Sequence, residues 1–418
     1  MVVSTTDPER AGSRPEAGLR RRRLSLLLLG ALVAAATACV PTWPTNAALT
    51  VTASTPTSLD VTWPAPTVDR DTTVAGYEVS VNGVVKRNLP GTRRSAHLRG
   101  LIPATNYRIR VRARDAKGQW SGPGLTVDAR TPSYPGLAAG TRTVSAAFGG
   151  QARTYRLHVP SAVAAHPNAP VPLVIALHGG MGSGQQLANT SQLDVESDRL
   201  GFVVAYPDGL LLPTARGTMV RTWNGGGCCA PAMGSGVDDV GFVASVITEL
   251  ERATAIIPSK VIVGGHSNGA ILTWRIACDR ADVLSAAVIV EGSLEQPSCA
   301  PSRGVDLVQV HGDSDTFLPL AGGVGNGLSG TDFTSAAASQ AMWTTGQHCG
   351  SPSHAGGDHL TITTWTGCAG GSTTQQVVIA GGTHAWSGAD PANSADFLGE
   401  PSPYFSATGA FTDLVTAP

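Results

Sequence analysis

At 418 residues the chain is too long for one ordinary domain and suits two or three. Only 14% of its residues are charged and the net charge is −1, which leaves no basic excess for nucleic acid and no acidic tail. Hydrophobic residues make up 42% of the chain, enough to fill a sizeable core.

Residues 1–39 read as a targeting segment that takes no part in the fold. A basic run, Arg20 to Arg23, precedes the apolar stretch Leu24 to Ala38, which ends in small residues. That stretch is too short for a membrane-spanning helix, which needs about 20 residues. The consecutive arginines suit twin-arginine export. Cys39 directly follows Ala36-Thr37-Ala38, which is similar to a bacterial lipobox, although Ala36 stands where Leu is usual. The segment therefore predicts export, either as a freely secreted protein or as one anchored to the membrane by lipid at Cys39.

Residues 40–46 form a Pro/Thr linker, and residues 47–131 have an all-β pattern. Ser58 to Trp63, Gly76 to Val81 and Tyr107 to Ala113 alternate apolar with polar side chains, as half-buried strands do. Asn82-Gly83 signals a hairpin turn. With Trp63, Tyr77 and Leu101-Ile-Pro-Ala-Thr-Asn-Tyr107, this segment resembles a fibronectin type III domain. The resemblance implies a sandwich with the tryptophan in its core and a tyrosine anchoring a corner, used as a spacer.

A Pro/Gly-rich connector, residues 132–142, leads to the larger unit, residues 143–418. Its predicted strands are Thr154 to Val159, Val171 to Leu177, Phe202 to Tyr206, Lys260 to Val263, Ala286 to Val290, Val305 to Val310 and Gln376 to Ile379. Helix-period segments run from Val240 to Thr254 and from Gly269 to Ala281. Apolar strands alternating with helices predict a mostly parallel sheet covered on both faces.

The chemistry centres on Gly265-His266-Ser267-Asn268-Gly269, a G-x-S-x-G string between an apolar strand and a helix. That context makes a sharp turn that lifts the serine above the sheet, at a helix N-terminus that favours a developing anion. A serine hydroxyl needs a base, and the base needs an orienting carboxylate. In chain order the acid follows the serine, and Asp313 and Asp315 both sit where the strand Val305 to Val310 opens into a loop. His384 lies on the loop after the last strand, among small residues. His348, His354 and His359 lie in a Gly/Ser-rich stretch expected to be exposed, and His266 is expected to shape the elbow. An oxyanion hole is expected from the backbone N–H of Asn268 and from that of Gly180 or Met181, in the Gly-rich loop after Leu177. Asp238 and Asp239 are expected to cap the helix before the elbow strand. Trp386, beside the histidine, is expected to line the site. Trp223 is open to either a site-lining or a core role.

Six cysteines follow Cys39, an even count that predicts three disulfides. The vicinal pair Cys228-Cys229 is expected not to bond to itself, since an eight-membered ring strains the peptide. Cys349 with Cys368 is the preferred local pair. No Cys-x-x-Cys or His/Cys metal spacing occurs, so neither metal nor cofactor is expected.

These motifs together resemble the poly(3-hydroxybutyrate) depolymerase-type esterases, a family similar to the feruloyl and acetylxylan esterases of carbohydrate esterase family 1. The resemblance runs through Arg153-Thr-Tyr-Arg-Leu-His-Val-Pro160, Leu177-His-Gly-Gly180, Tyr206-Pro-Asp-Gly209, Val237-Asp-Asp-Val-Gly-Phe242, His311-Gly-Asp-Ser-Asp315 and Gly382-Thr-His-Ala-Trp-Ser-Gly388. It implies an α/β-hydrolase fold, a triad of Ser267, His384 and Asp315, with Asp313 the alternative acid, and hydrolysis of an ester. Ala270 and Ser387 depart from the family pattern without removing a catalytic atom. The substrate is open between polyhydroxyalkanoate, feruloyl-arabinoxylan, acetylxylan and small soluble esters. A serine peptidase on the same fold, a lipase and a non-catalytic surface binding protein are the rival readings.

Overall fold

The computed structural model describes residues 40–327 and 329–418. The targeting segment, with Cys39, lies outside the described residues. The N-terminal unit is a sandwich of two antiparallel sheets. Its strands are β1 (Thr50–Thr55), β2 (Ser58–Thr62), β3 (Val74–Val81), β4 (Val84–Pro90), β5 (Ser95–Arg99), β6 (Asn106–Asp115) and β7 (Leu125–Arg130). One sheet has the order β1-β2-β5 and the other β4-β3-β6-β7. Strict alternation along β6 buries Tyr107, Ile109, Val111 and Ala113 against Trp63, Tyr77 and Val79. Asn82, at φ 48°, and Gly83, at φ 82°, turn β3 into β4, a backbone that few other residue pairs tolerate. The Tyr107 hydroxyl accepts the N–H of Ile102 at 2.7 Å and so pins the corner before β6.

The larger unit is an α/β-hydrolase fold. It opens with the hairpin β8 (Gly140–Phe148) and β9 (Gln151–Val159), then α1 (Ser161–Ala164), β10 (Val171–Leu177), α2 (Gly184–Ser191), α3 (Leu193–Leu200) and β11 (Val203–Pro207). The small hairpin β12 (Leu210–Pro213) and β13 (Met219–Thr222) precedes α4 (Asp239–Ala253), β14 (Ile256–His266), α5 (Asn268–Asp279), β15 (Ala286–Val290) and β16 (Asp306–Gly312). The remaining elements are β17 (Gly323–Val324), β18 (Asp332–Phe333), α6 (Ala336–Gly346), β19 (Ser353–Gly356), β20 (Leu360–Trp365), β21 (Thr374–Ile379) and α7 (Ala407–Thr416). Ten strands form one sheet in the order β19-β20-β21-β16-β15-β14-β10-β11-β9-β8. Its six central strands, β21 to β11, are parallel to one another, and two antiparallel strands flank them on each side. Apolar residues of α4, α5 and α6 cover one face, and those of α2, α3 and α7 cover the other. The parallel strands are buried on both faces, which is why they read as unbroken apolar runs.

Two details of the sequence reading change or sharpen here. Cys228 and Cys229 do bond to each other, against the expectation, and the peptide between them is cis, a geometry in which the eight-membered ring closes. The other disulfides join Cys278 to Cys299 and Cys349 to Cys368. Asp238 caps α4 by accepting the Gly241 N–H at 2.8 Å. Asp239 instead forms a buried pair with Arg153 at 2.7 Å, which ties β9 to α4. Among the described residues no helix is long and apolar enough to cross a membrane.

Candidate active site

Ser267 stands between the last residue of β14 and the first of α5, with φ 55° and ψ −121°. Its N–H donates to Val290 on the neighbouring strand at 2.9 Å, so the sheet itself holds the turn. The flanking glycines are steric necessities. A Cβ on Gly265 would collide with the backbone of Gly269, and a Cβ on Gly269 with the carbonyls of Leu177 and His178. The result is a half-buried hydroxyl at the C-terminal edge of the sheet.

Two loops that follow parallel strands bring the partners to it. His384, after β21, places Nε2 2.8 Å from Ser267 Oγ and Nδ1 2.6 Å from Asp315 Oδ2. Asp315, after β16, uses its other oxygen to accept the N–H groups of Phe317 and Leu318, at 2.8 and 3.0 Å. Burial pushes the Asp315 carboxyl up, but the hydrogen bond from His384 and the Leu318 N–H together hold it below the ordinary carboxylate range. Asp313, the alternative acid, is exposed and turns elsewhere. It accepts the Gly381 N–H at 2.7 Å and the Ser314 hydroxyl at 3.1 Å. It thereby ties the two loops together without bonding to the imidazole.

His266 contributes to the same assembly. Its Nε2 donates to the carbonyl of His384 at 2.8 Å and fixes the loop that carries that ring. Burial, helped by the nearby His384, lowers its pKa to about 4, so it stays neutral.

On the opposite side the Gly-rich loop after β10 approaches the elbow. Asn268 opens α5, so its N–H has no carbonyl one turn earlier to receive it. Gly180 lies against it: a Cβ there would sit 3.8 Å from that of Asn268. Met181 is a correction. Its N–H donates to the carbonyl of Arg221 at 2.7 Å and is not free for an oxyanion. The loop is locked from below by His178, whose Nδ1 donates to Gly179 O at 2.7 Å while Nε2 accepts the Gly209 N–H at 2.9 Å.

Trp223 takes the core role. It is 0% exposed, and its indole N–H donates to His178 O at 2.8 Å. Its main chain is clamped by the Asn268 side chain, which accepts Trp223 N–H at 2.7 Å and donates to Trp223 O at 3.0 Å. Trp386 is packed from below. At 1% exposed, stacked on Phe411 and bonded to the Thr408 hydroxyl, it braces the floor of the cleft beside Ser267 and is one of the residues that line it. The aromatic side chains that do flank the histidine are Phe317, stacked on His384, and the exposed Phe397 beside it. The reading of the sequence missed both. Phe317 was findable, two residues after Asp315 at a strand's C-terminal end. Phe397 sits in an irregular loop with no periodic signal. Gly179, Leu187, Thr190, Phe397 and Leu398 help enclose a cleft of about 70 Å³ beside Ser267.

Comparison with known proteins bears on this geometry. Residues 153–318 match the family described as esterase PHB depolymerase, and residues 43–127 match the fibronectin type III domain. NocK of Nocardia uniformis subsp. tsuyamanensis is 27% identical over 175 residues, 41% of this chain and 48% of its own length. The bifunctional acetylxylan esterase/xylanase XynS20E of Neocallimastix patriciarum is 26% identical over 40% of this chain and 22% of its own length. Feruloyl esterase B of Thermothelomyces thermophilus is 28% identical over 32% of this chain and 43% of its own. Each match thus spans less than half of the relative. Among solved structures, acetyl xylan esterase from Aspergillus awamori aligns over 58% of this chain and 94% of its own, at 16% identity and a TM-score of 0.43.

Proposed function

We propose that this esterase domain hydrolyses carboxylic esters by two-step acyl transfer on Ser267. The observation that carries the reading is the unbroken chain of hydrogen bonds from Ser267 Oγ through His384 to Asp315. His384 removes the serine proton as Oγ attacks the ester carbonyl, and Asp315 holds the imidazole's tautomer and stabilises its cation. The N–H groups of Asn268 and Gly180 receive the oxyanion. The leaving alcohol takes its proton from His384, and water then releases the acid by the same route. No metal or cofactor enters these steps.

The cleft beside the serine has Leu187, Phe397 and Leu398 in its wall, an apolar surface suited to the acyl part of an ester. The relatives that are named acetylxylan esterase and feruloyl esterase support a polymeric plant polysaccharide as the alcohol side. The basic and apolar N-terminal segment supports an exported enzyme, freely secreted or lipid-anchored at Cys39. The test is product release from acetylated xylan, feruloylated xylan and a polyhydroxybutyrate suspension, with Ser267→Ala alongside. Release of acetate or hydroxycinnamate that Ser267→Ala abolishes is the expected result. Release of 3-hydroxybutyrate alone would make the enzyme a depolymerase, and turnover by Ser267→Ala would end the serine reading.

A further inference from the structure

A second carboxyl is sealed beside Asp315. Glu291 follows the last residue of β15, is 0% exposed, and accepts the N–H of Gly312 on both carboxyl oxygens, at 3.1 and 3.0 Å. Ligating atoms of Glu291, His311 and Asp315 all lie within 4.8 Å of one another. His311 Nε2 is 3.6 Å from a carboxylate oxygen of each acid, but its proton goes to the carbonyl of Leu318 at 2.8 Å. That nitrogen therefore has no lone pair to offer a metal ion. Burial lowers the pKa of His311 and keeps its ring neutral.

Two carboxyls this close in a dry site do not both ionise. The neighbours decide which one does. Asp315 receives His384 and two backbone N–H groups, whereas Glu291 receives one N–H. The charge therefore resides on Asp315. Burial and that charge hold the Glu291 carboxyl well above the ordinary range. The other titratable groups facing this cluster are His311 from β16, His384 from the loop after β21 and His266 from the elbow, and neither Lys nor Arg is among them.

The backbone makes the residue choice more pointed. Glu291 has φ 51°, a left-handed conformation that favours glycine and is strained for other residues. Neither the backbone nor the burial favours a glutamate here, so its side chain is the reason for it.

We infer that Glu291 is a positioning residue: a neutral carboxylic acid that turns its O–H toward the Asp315 carboxylate and leaves Asp315 the only negative charge serving His384. This rests on the triad reading above. Gln in its place keeps the shape, an acceptor for Gly312 and a donor for Asp315. Met keeps the volume and loses both polar functions. Without the donor, Asp315 becomes more basic and holds a proton on His384 to higher pH.

The experiment follows kcat and KM on a soluble chromogenic ester between about pH 5 and 9 for the full chain, E291Q, E291M and S267A. E291Q is expected to keep kcat/KM within about threefold, with the acid limb unmoved, and E291M to lose about tenfold in kcat at similar KM, with the acid limb shifted up. An acid limb that moves down in E291Q would mean that Glu291 is ionised in the native enzyme, and the inference would fall. An E291M enzyme with the wild-type limb would reduce Glu291 to a packing role. Should E291M not fold, the limb in E291Q still decides. Turnover by S267A would instead sink the triad reading itself.

Discussion

The ring of Phe317 lies over that of His384, with centroids 5.2 Å apart and planes 17° from parallel. Asp315 fixes this imidazole at one edge, and Phe317 limits its tilt from one face. The N–H of Phe317 also donates to Asp315, so one residue holds both the imidazole and its carboxylate partner. Removing the ring leaves the hydrogen bonds in place but frees the imidazole to leave its attacking geometry. Phe317→Ala is therefore expected to lower kcat about tenfold on a small soluble ester, where few substrate contacts are lost. An unchanged kcat would show that the carboxylate alone orients the base.

Asp315 and Asp313 are two residues apart and make opposite predictions. Asp315→Asn disturbs the tautomer of His384, and a loss of about 10³–10⁴ in kcat is expected. Asp313→Asn weakens a tether at the surface, with a change in kcat of less than about threefold and a stability loss of about 1 kcal/mol. Steady-state kinetics and urea unfolding of both variants separate the roles. The reverse ranking would transfer the acid to Asp313.

Asn268 serves with its backbone and its side chain in different directions. The side chain satisfies both main-chain polar groups of Trp223, whose indole in turn holds the carbonyl of His178 under the oxyanion loop. Asn268→Ala strands a buried N–H and C=O, at a cost of about 2–4 kcal/mol in unfolding free energy. It also loosens the loop carrying Gly180, so kcat should fall as well. A variant with wild-type stability in denaturant would remove the clamp from this account.

Much of this architecture could be read from the sequence because its strongest signals are periodic. The strands Val171–Leu177 and Ala286–Val290 were readable to the residue, since burial on both faces leaves no polar position to blur them. The Ser267 elbow was legible because strand, glycines and helix must coincide there. The edge strand β8, with alternating half-exposed residues and little apolar run, was not. Nor were α2 and α3, two eight-residue helices whose caps and loops outweigh their short periodicity. Tryptophan was ambiguous in the sequence for a physical reason: beside an active site, a large ring can face substrate or brace the floor, and only packing distinguishes the two. Trp386 has Phe411 on one side and His266 on the other. The vicinal disulfide escaped because the strain of an eight-membered ring argued against a bond between neighbouring cysteines.

The protonation of Glu291 also has a consequence for stability that needs no activity measurement. A carboxyl whose folded pKa lies well above its unfolded value contributes stability that is fully present below the unfolded pKa, near 4.3 for a free glutamate, and is lost as pH rises through the folded one. Above about pH 5 the unfolded chain has released this proton while the folded chain still holds it, so folding becomes less favourable with each pH step. Gln cannot ionise in either state and escapes that loss. The difference in Tm between E291Q and the wild type should therefore move in favour of E291Q from about pH 5 to pH 8. The other buried groups, His178, His266 and His311 with lowered pKa values and Asp239 with a raised one, are common to both proteins and cancel in the difference. A Tm difference that stays flat with pH would mean that Glu291 is ionised in the fold. Asp315 would then share its pocket with a second negative charge, and the charge serving His384 would have to be reassigned to the pair.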